Sequence, residues 1–381
     1  MKRWYARQLA ILLVAATIWA GIFAVPYAFE QAGWRPSITM LVVVSGIIMI
    51  TNLLLASVVL QSDAPSLDLV GIFQHHLPAK AKHLASFITM WAFFVFMMVY
   101  CILAPQFLSI VFGWNEPNVL LALLYVTGIG LMLHKHLAEI QRFEHRIILL
   151  LTTLILGCSV LARYGWNDIP VFFDMSVWWH AYLPYGVLLF ALNSMAAVPL
   201  ICMLAPTQPR AIKHAIIWAG VFTALIVGIF AIAITWLTWS NTSPDTLNSL
   251  YIFLWPAALR VAAAIGVLAM ISPHIIFGTH LRKTFMYDYR MPRWLAWILV
   301  TWWPFLLVLL LHPNLAEFLG WAGSMAAWWM ALLILRVARH FWRHATDTQR
   351  QQFLLGKPNF FAQVLMLTYL AGMIITIVLA L

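Results

Sequence analysis

The sequence predicts an all-α integral membrane protein with eleven transmembrane helices. Its 381 residues are 64% hydrophobic and only 9% charged, with a mean hydropathy of +0.91, whereas a soluble domain carries roughly 25% charged residues. A compact soluble fold cannot hide that much apolar surface, which excludes a soluble enzyme, a nucleic-acid binder and a disordered scaffold. A second observation is that apolar runs separated by short polar breaks recur along the chain, each long enough for a span of roughly 20 residues. Strand-like alternation is missing, so an outer-membrane barrel does not fit. Third, the surplus of basic residues sorts by position: 19 of the 22 Lys and Arg, all but Arg35, Arg163 and Arg260, fall in segments on one side. Positive residues mark the cytoplasmic side of a membrane protein, which predicts the N-terminus inside and the C-terminus outside. The expected location is a bacterial inner membrane.

The first run, about 8–33, follows Lys2, Arg3 and Arg7 and looks at its start like a secretory signal. Its length, and Pro26, Tyr27 and Phe29 in place of a small-residue cleavage site, mark it as a retained span. Runs at about 36–61, 84–113, 117–134 and 146–165 complete the first half. Between the second and third runs, residues 62–83 are short, mixed and partly apolar, and read as an interfacial helix on the inner face. The second half holds runs at about 178–204, 210–238, 248–281, 292–312 and 314–336, and an eleventh follows at about 360–380. All belong to one transmembrane domain, 1–381. Cys101, Cys158 and Cys202 all lie in predicted spans, so no disulfide framework or metal spacing is visible.

A repeat is hidden in these spans. Ala24-Val25-Pro26 in the first run and Ala197-Val198-Pro199 in the sixth are the same tripeptide, 173 residues apart, and Pro36 and Pro209 open the following runs at the same displacement. Five spans separate the copies, so the second lies upside down in the bilayer, as in an inverted-topology repeat. The repeats cover about 8–165 and about 178–337. Proline removes a backbone donor and pushes away the carbonyl one turn earlier. Helices 1 and 6 are therefore expected to be discontinuous, with free backbone groups at membrane depth, which are tolerated where they line a cavity or bind something.

The run Thr17-Ile-Trp-Ala-Gly-Ile-Phe-Ala-Val-Pro-Tyr-Ala-Phe-Glu-Gln-Ala-Gly33 resembles the first span of the amino acid/auxin permease family of the amino acid-polyamine-organocation superfamily. Gly186 to Pro199 resembles that family's second broken helix. The likeness covers both motif helices well and the remaining spans by topology. It implies the five-plus-five inverted repeat of the LeuT-type fold with an eleventh helix appended, and secondary active transport of an amino acid by alternating access. The substrate carboxylate would meet free amides around Thr17, Ile18, Trp19, Ala20, Gly21 and Ile22, aided by the positive end of a half-helix. Side-chain selection would fall to Phe190, Leu192, Asn193 and Ser194. Asn193 has the clearest polar handle, with capping of the inner half-helix as its other reading. Trp19 departs from the pattern, which has a small residue there, and bears on pocket size.

Ion-coupled relatives hold sodium between the first break and the eighth span. Here the hydroxyl of Ser272, with the carbonyls of Ala15 and Ile18, is the nearest match, although the family's hydroxyl aligns closer to Ile271. His274 can titrate and carry a proton, or it can sit neutral against a backbone carbonyl freed by Pro273. Span five has no lysine to imitate a fixed sodium, only Thr152, Thr153 and Ser159. Proton coupling through His274 or Glu30, sodium symport and uncoupled transport all stay open. Arg260 is read about twelve residues from the outer end of its span, where an unpaired charge costs about 2.5–3.5 kcal/mol. Glu30 and Glu317 lie near outer span ends, which suggests a gate in which Arg260 pairs with one of them; snorkelling of Arg260 to the headgroups is the alternative.

Other groups suggest no chemistry. His340 and His344 are one turn apart without a carboxylate or cysteine to complete a metal set, and every aspartate falls in a loop, so no membrane-protease pair forms. An amino-acid sensor of the same fold is the rival reading, but the long cytoplasmic tail it would use for output is not seen. The expected partners are an amino acid and the lipid bilayer, with no nucleic acid and no cofactor beyond a coupling Na+ or H+. The amino acid and the oligomeric state are left open.

Overall fold

The computed structural model describes residues 2–62, 71, 73, 79–114, 116–133, 153, 157, 160, 178–238, 241–287, 289–346, 350, 353–355 and 359–380. Every element among them is helical. Seven helices in that set are long and apolar enough to cross a membrane.

The first predicted span is two helices, not one. α1 (Lys2–Thr17) is built from good helix formers without an internal Gly or Pro. It stops where the Thr17 hydroxyl donates back to the Leu13 carbonyl at 2.6 Å. Trp19 is fully extended, a 3-10 turn spans Ala20–Ala24, and α2 runs over Val25–Ala32 with Pro26 in its first turn. Gly33, at φ 80°, then reverses the chain directly into α3 (Trp34–Gln61). A left-handed φ of this kind is open to glycine at little cost.

α4 (Ala79–Phe112) and α5 (Val119–Met132) follow. The predicted span at 146–165 and most of the predicted interfacial segment at 62–83 lie outside the described residues. The sixth predicted span is again interrupted. α6 (Tyr182–Ala191) gives way at Leu192 to Ser194, a 3-10 turn occupies Met195–Ala197, and α7 (Val198–Leu204) resumes with Pro199 in its first turn. The two Ala-Val-Pro motifs adopt nearly the same backbone, with Ala24 at φ −92°, ψ −11° and Ala197 at φ −90°, ψ −14°. Proline alone does not open a helix here, since Pro105, Pro273 and Pro304 all sit inside continuous ones. The breaks occur where Gly21 in one case and Asn193-Ser194 in the other precede the proline turn, residues that favour turns and caps over helix interiors.

α8 (Pro209–Thr238), α9 (Pro256–Tyr287), α10 (Arg293–Leu311), α11 (Leu315–His344) and α12 (Asn359–Ala380) complete the described helices. Two of these differ from the sequence reading. The eighth predicted span begins at Pro256 and not near 248, because proline pre-sets the first helical turn, and residues 248–252 form a 3-10 turn instead. The tenth continues through Arg336 and Arg339 to His344, beyond the expected end at 336.

α4 lies against α9, α1 against α8, and α11 against α6 and α12. The segment before α9 folds over the first break. There the hydroxyl of Thr246, a residue held at φ 65°, donates to the Phe23 carbonyl in the turn between the two helices. From α8, the Thr235 hydroxyl lies 3.1 Å from the Pro26 carbonyl. Beside Thr246, burial pushes the Asp245 carboxyl above the usual carboxylate range.

Candidate functional site

The two breaks touch. A Cβ added to Gly21 would lie 2.6 Å from the Phe190 ring and 3.1 Å from the Ala191 Cα, so only glycine lets the first break approach the second this closely. A small cavity opens beside them, lined by Trp19 and Gly21 from the first break and by Phe190, Ala191 and Asn193 from the second. Phe96 and Tyr100 of α4 and Phe277 of α9 close it. Its walls are aromatic: Trp19 meets Phe277 edge-on at 5.6 Å between centroids, Phe96 meets Phe190 at 5.2 Å, and Phe96 lies 5.4 Å from Phe277. No charged side chain lines it.

The polar groups here are few and unspent. Trp19 Nε1 and the Tyr100 hydroxyl are buried without a hydrogen-bond partner. Leaving a buried donor unsatisfied costs about 1–3 kcal/mol each, so two at one cavity are an arrangement suited to a ligand that brings acceptors. The amides of Ala20 and Gly21 precede the first bond of the Ala20–Ala24 turn, which runs from the Ile22 amide to the Trp19 carbonyl. Asn193 both lines the cavity and accepts from the Met195 amide at 3.1 Å, so it caps the turn that leads into α7.

The remaining expected residues are distributed differently. Thr17, Leu192 and Ser194 line a second cavity on the other side of the breaks. Ile18 and Ile22 are buried in the core and line neither cavity. Ser272 is buried with its hydroxyl unpartnered. His274 is also buried, and its Nδ1 lies 3.1 Å from the Tyr125 hydroxyl. The neighbour of this ring nitrogen is a phenol, because α5 brings Tyr125 against that face of α9. Arg260 sits in the first turns of α9, exposed, with its guanidinium against Gly113 just after α4. It is thus much nearer its helix end than the sequence reading had it. Among the described residues no ion pair joins it to Glu30, which is half-buried and accepts from Gln31 at 2.7 Å, or to exposed Glu317.

Phe96, Tyr100 and Phe277 were not foreseen. A signal existed in α4, where Phe93, Phe96 and Tyr100 recur at helical spacing on one face. In an apolar span, however, no polar face says which side looks inward.

The sequence matches, over residues 3–381, the family model described as transmembrane amino acid transporter protein. No curated protein matches it. Among solved structures, MhsT in complex with L-phenylalanine superposes with a TM-score of 0.68 at 16% identity, covering 97% of both chains. Mhp1, a nucleobase-cation-symport-1 family transporter in a closed conformation with bromovinylhydantoin bound, gives 0.66 at 11% identity, covering 98% of this chain and 89% of that one. A mutant manganese transporter from Eremococcus coleocola gives 0.61 at 12% identity over 98% and 94%. At such identities the likeness establishes the fold, which is the LeuT-type fold of these transporters.

Proposed function

Because the chain belongs to the transmembrane amino acid transporter family, a family of multi-pass membrane transporters and not of enzymes, we propose that it carries a neutral amino acid across the membrane by alternating access. The observation that carries the reading is the aromatic cavity between the two helix breaks, with Trp19 Nε1 and the Tyr100 hydroxyl as unspent donors. The substrate carboxylate binds those donors and the amides of Ala20 and Gly21, and its side chain rests between Phe96, Phe190 and Phe277. A wall without charge suits a neutral side chain. MhsT, which shares the fold, is described with L-phenylalanine bound, and this supports an amino acid as the cargo.

The full architecture in this proposal is eleven spans, N-terminus inside, with repeats at about 8–165 and 178–337 and helix 360–380 appended. The matching backbone of the two Ala-Val-Pro motifs supports it. Transport is driven by a monovalent cation. Sodium would use Ser272 with the carbonyls of Ala15 and Ile18; a proton would use His274 or Glu30. As the outer path closes, Arg260 leaves Gly113 and pairs with Glu30 or Glu317. Arg260→Met is expected to lower uptake about tenfold, the equivalent of about 1.4 kcal/mol, and unchanged uptake removes the gate.

The decisive test is uptake into proteoliposomes across a panel of labelled amino acids, with sodium and pH gradients imposed separately. Accumulation of a neutral amino acid under one gradient is expected. If none accumulates under either, the reading fails.

A further inference from the structure

The free space among the rings of the aromatic cavity is enough for about one water molecule. An amino acid enters only as far as the walls yield, and most of them are held in place. A Cβ added to Gly21 would lie 2.6 Å from the Phe190 ring, and one added to Gly323 would lie 3.1 Å from the Phe190 amide nitrogen, so Phe190 has no room to retreat. Phe277 stacks on Phe93 at 5.0 Å and lies 5.4 Å from Phe96, and all three are buried. Phe96 in turn meets Phe190 edge-on at 5.2 Å. Displacing one of these rings displaces the others, which a close-packed interior resists.

Trp19 is the largest side chain in the wall, and its backbone is fixed on both sides. It is extended, its amide donates to the Thr17 carbonyl at 2.9 Å, and its carbonyl accepts from the Ile22 amide at 3.1 Å. The indole reaches Phe277 of α9, which it meets edge-on at 5.6 Å. An indole is rigid, with two side-chain torsions, so it cannot reshape itself around a ligand as a methionine does. The ammonium, α-carbon and carboxylate are common to every amino acid and use up what the walls can yield. Little then remains for a side chain, and the indole occupies the room that a longer one needs. In such a pocket one methylene that does not fit is worth about 10- to 200-fold.

We infer that Trp19 sets the size limit of this site, and that the substrate is a neutral amino acid with at most one side-chain carbon: glycine, alanine or serine. This limit rests on the reading of the cavity as the amino-acid site and narrows it. Trp19 thus has two separable roles. Its Nε1 offers a proton to the carboxylate, and the bulk of its ring turns away longer side chains.

The test is uptake of labelled glycine, alanine, valine, leucine and phenylalanine into proteoliposomes that hold the full-length protein or a Trp19 variant, with sodium and pH gradients both imposed. In the wild type, alanine is expected to exceed leucine and phenylalanine by at least about 100-fold in kcat/KM. Trp19→Ala removes both roles of the indole. Alanine uptake should fall about tenfold through loss of one donor to the carboxylate, while leucine and phenylalanine uptake should rise. A gain of this kind is not the mark of a merely damaged protein. Should Trp19→Ala fail to fold, Trp19→Phe decides with the wild-type series, since the smaller ring is expected to raise the valine-to-alanine ratio about tenfold. The size limit is overturned if the wild type carries leucine or phenylalanine as well as it carries alanine. It is overturned equally if the ratios are unchanged in the folded Trp19 variants. Either result leaves the transport reading intact. A wild type that accumulates none of the five refutes the transport reading, and the size limit with it.

Discussion

Gly323→Val is expected to leave no monodisperse folded protein after detergent extraction, whereas Gly320→Ala, one turn away on the same helix, is expected to be tolerated. The difference lies in what each new atom would meet. A Cβ at Gly323 would fall on the Gly186 carbonyl oxygen and lie 3.1 Å from the Phe190 amide nitrogen, and a Cβ at Gly186 would fall on the Gly320 carbonyl. The obstacles are backbone, which cannot rotate away as a side chain can. α6 and α11 are thus packed main chain to main chain, a use of small residues common where helices associate in lipid. Overpacking a well-packed interior costs typically 1–3 kcal/mol, and a valine here would force the two helices apart along their whole contact. Because Phe190 sits at that contact and also walls the aromatic cavity, any surviving protein should lose substrate binding as well. At Gly320 a Cβ would meet only a Leu183 methyl at 3.5 Å, an ordinary contact, and alanine recovers about 1 kcal/mol of helix propensity. Size-exclusion profiles and melting temperatures of the two variants decide the matter. Equal behaviour of both would refute the close approach of α6 and α11.

Tyr100→Phe is expected to do the opposite to stability and activity. It removes one oxygen and leaves the ring, which packs 5.7 Å from His274 and 6.5 Å from Phe190. In the empty protein that hydroxyl is buried without a partner, so its loss should hold or raise the melting temperature, by relief of a cost of about 1–3 kcal/mol. In the proposed binding mode the same hydroxyl donates to the substrate carboxylate, a bond to a charged group worth about 1.5–3 kcal/mol. Uptake at low substrate concentration should therefore fall about 10- to 100-fold, since each 1.4 kcal/mol is a factor of ten. A site that is less stable than it could be and more active for it is a common trade. Wild-type uptake in a stable Tyr100→Phe protein would remove Tyr100 from the binding site. A matching loss of uptake and of melting temperature would make it a structural residue only.

The membrane location follows from composition, and most span positions follow from unbroken apolar runs, because a bilayer demands length and hydrophobicity at each crossing. The interruptions in the first and sixth spans were legible because their signals are local, a proline turn preceded by Gly21 in one case and by Asn193-Ser194 in the other. The family was legible for the same reason, since its motif is a contiguous run at the first break. Boundaries set by competing local signals were read less well: apolarity placed the eighth span near 248, while Pro256 sets its start.

What the sequence by itself determined, then, is an all-helical membrane transporter of the amino acid transporter family with two backbone breaks. Tertiary structure alone decided how the residues around those breaks divide. Along an irregular segment neighbouring side chains point to opposite sides, so Trp19 and Asn193 face the aromatic cavity while Thr17 and Ser194 face the polar one. The partners that complete each cavity come from helices distant in the chain, Tyr100 and Phe277 for one and Asn52 and Thr223 for the other. Inside a bilayer protein every face of a span is apolar, so hydropathy carries no record of which residues turn inward. Only the contacts between helices supply it.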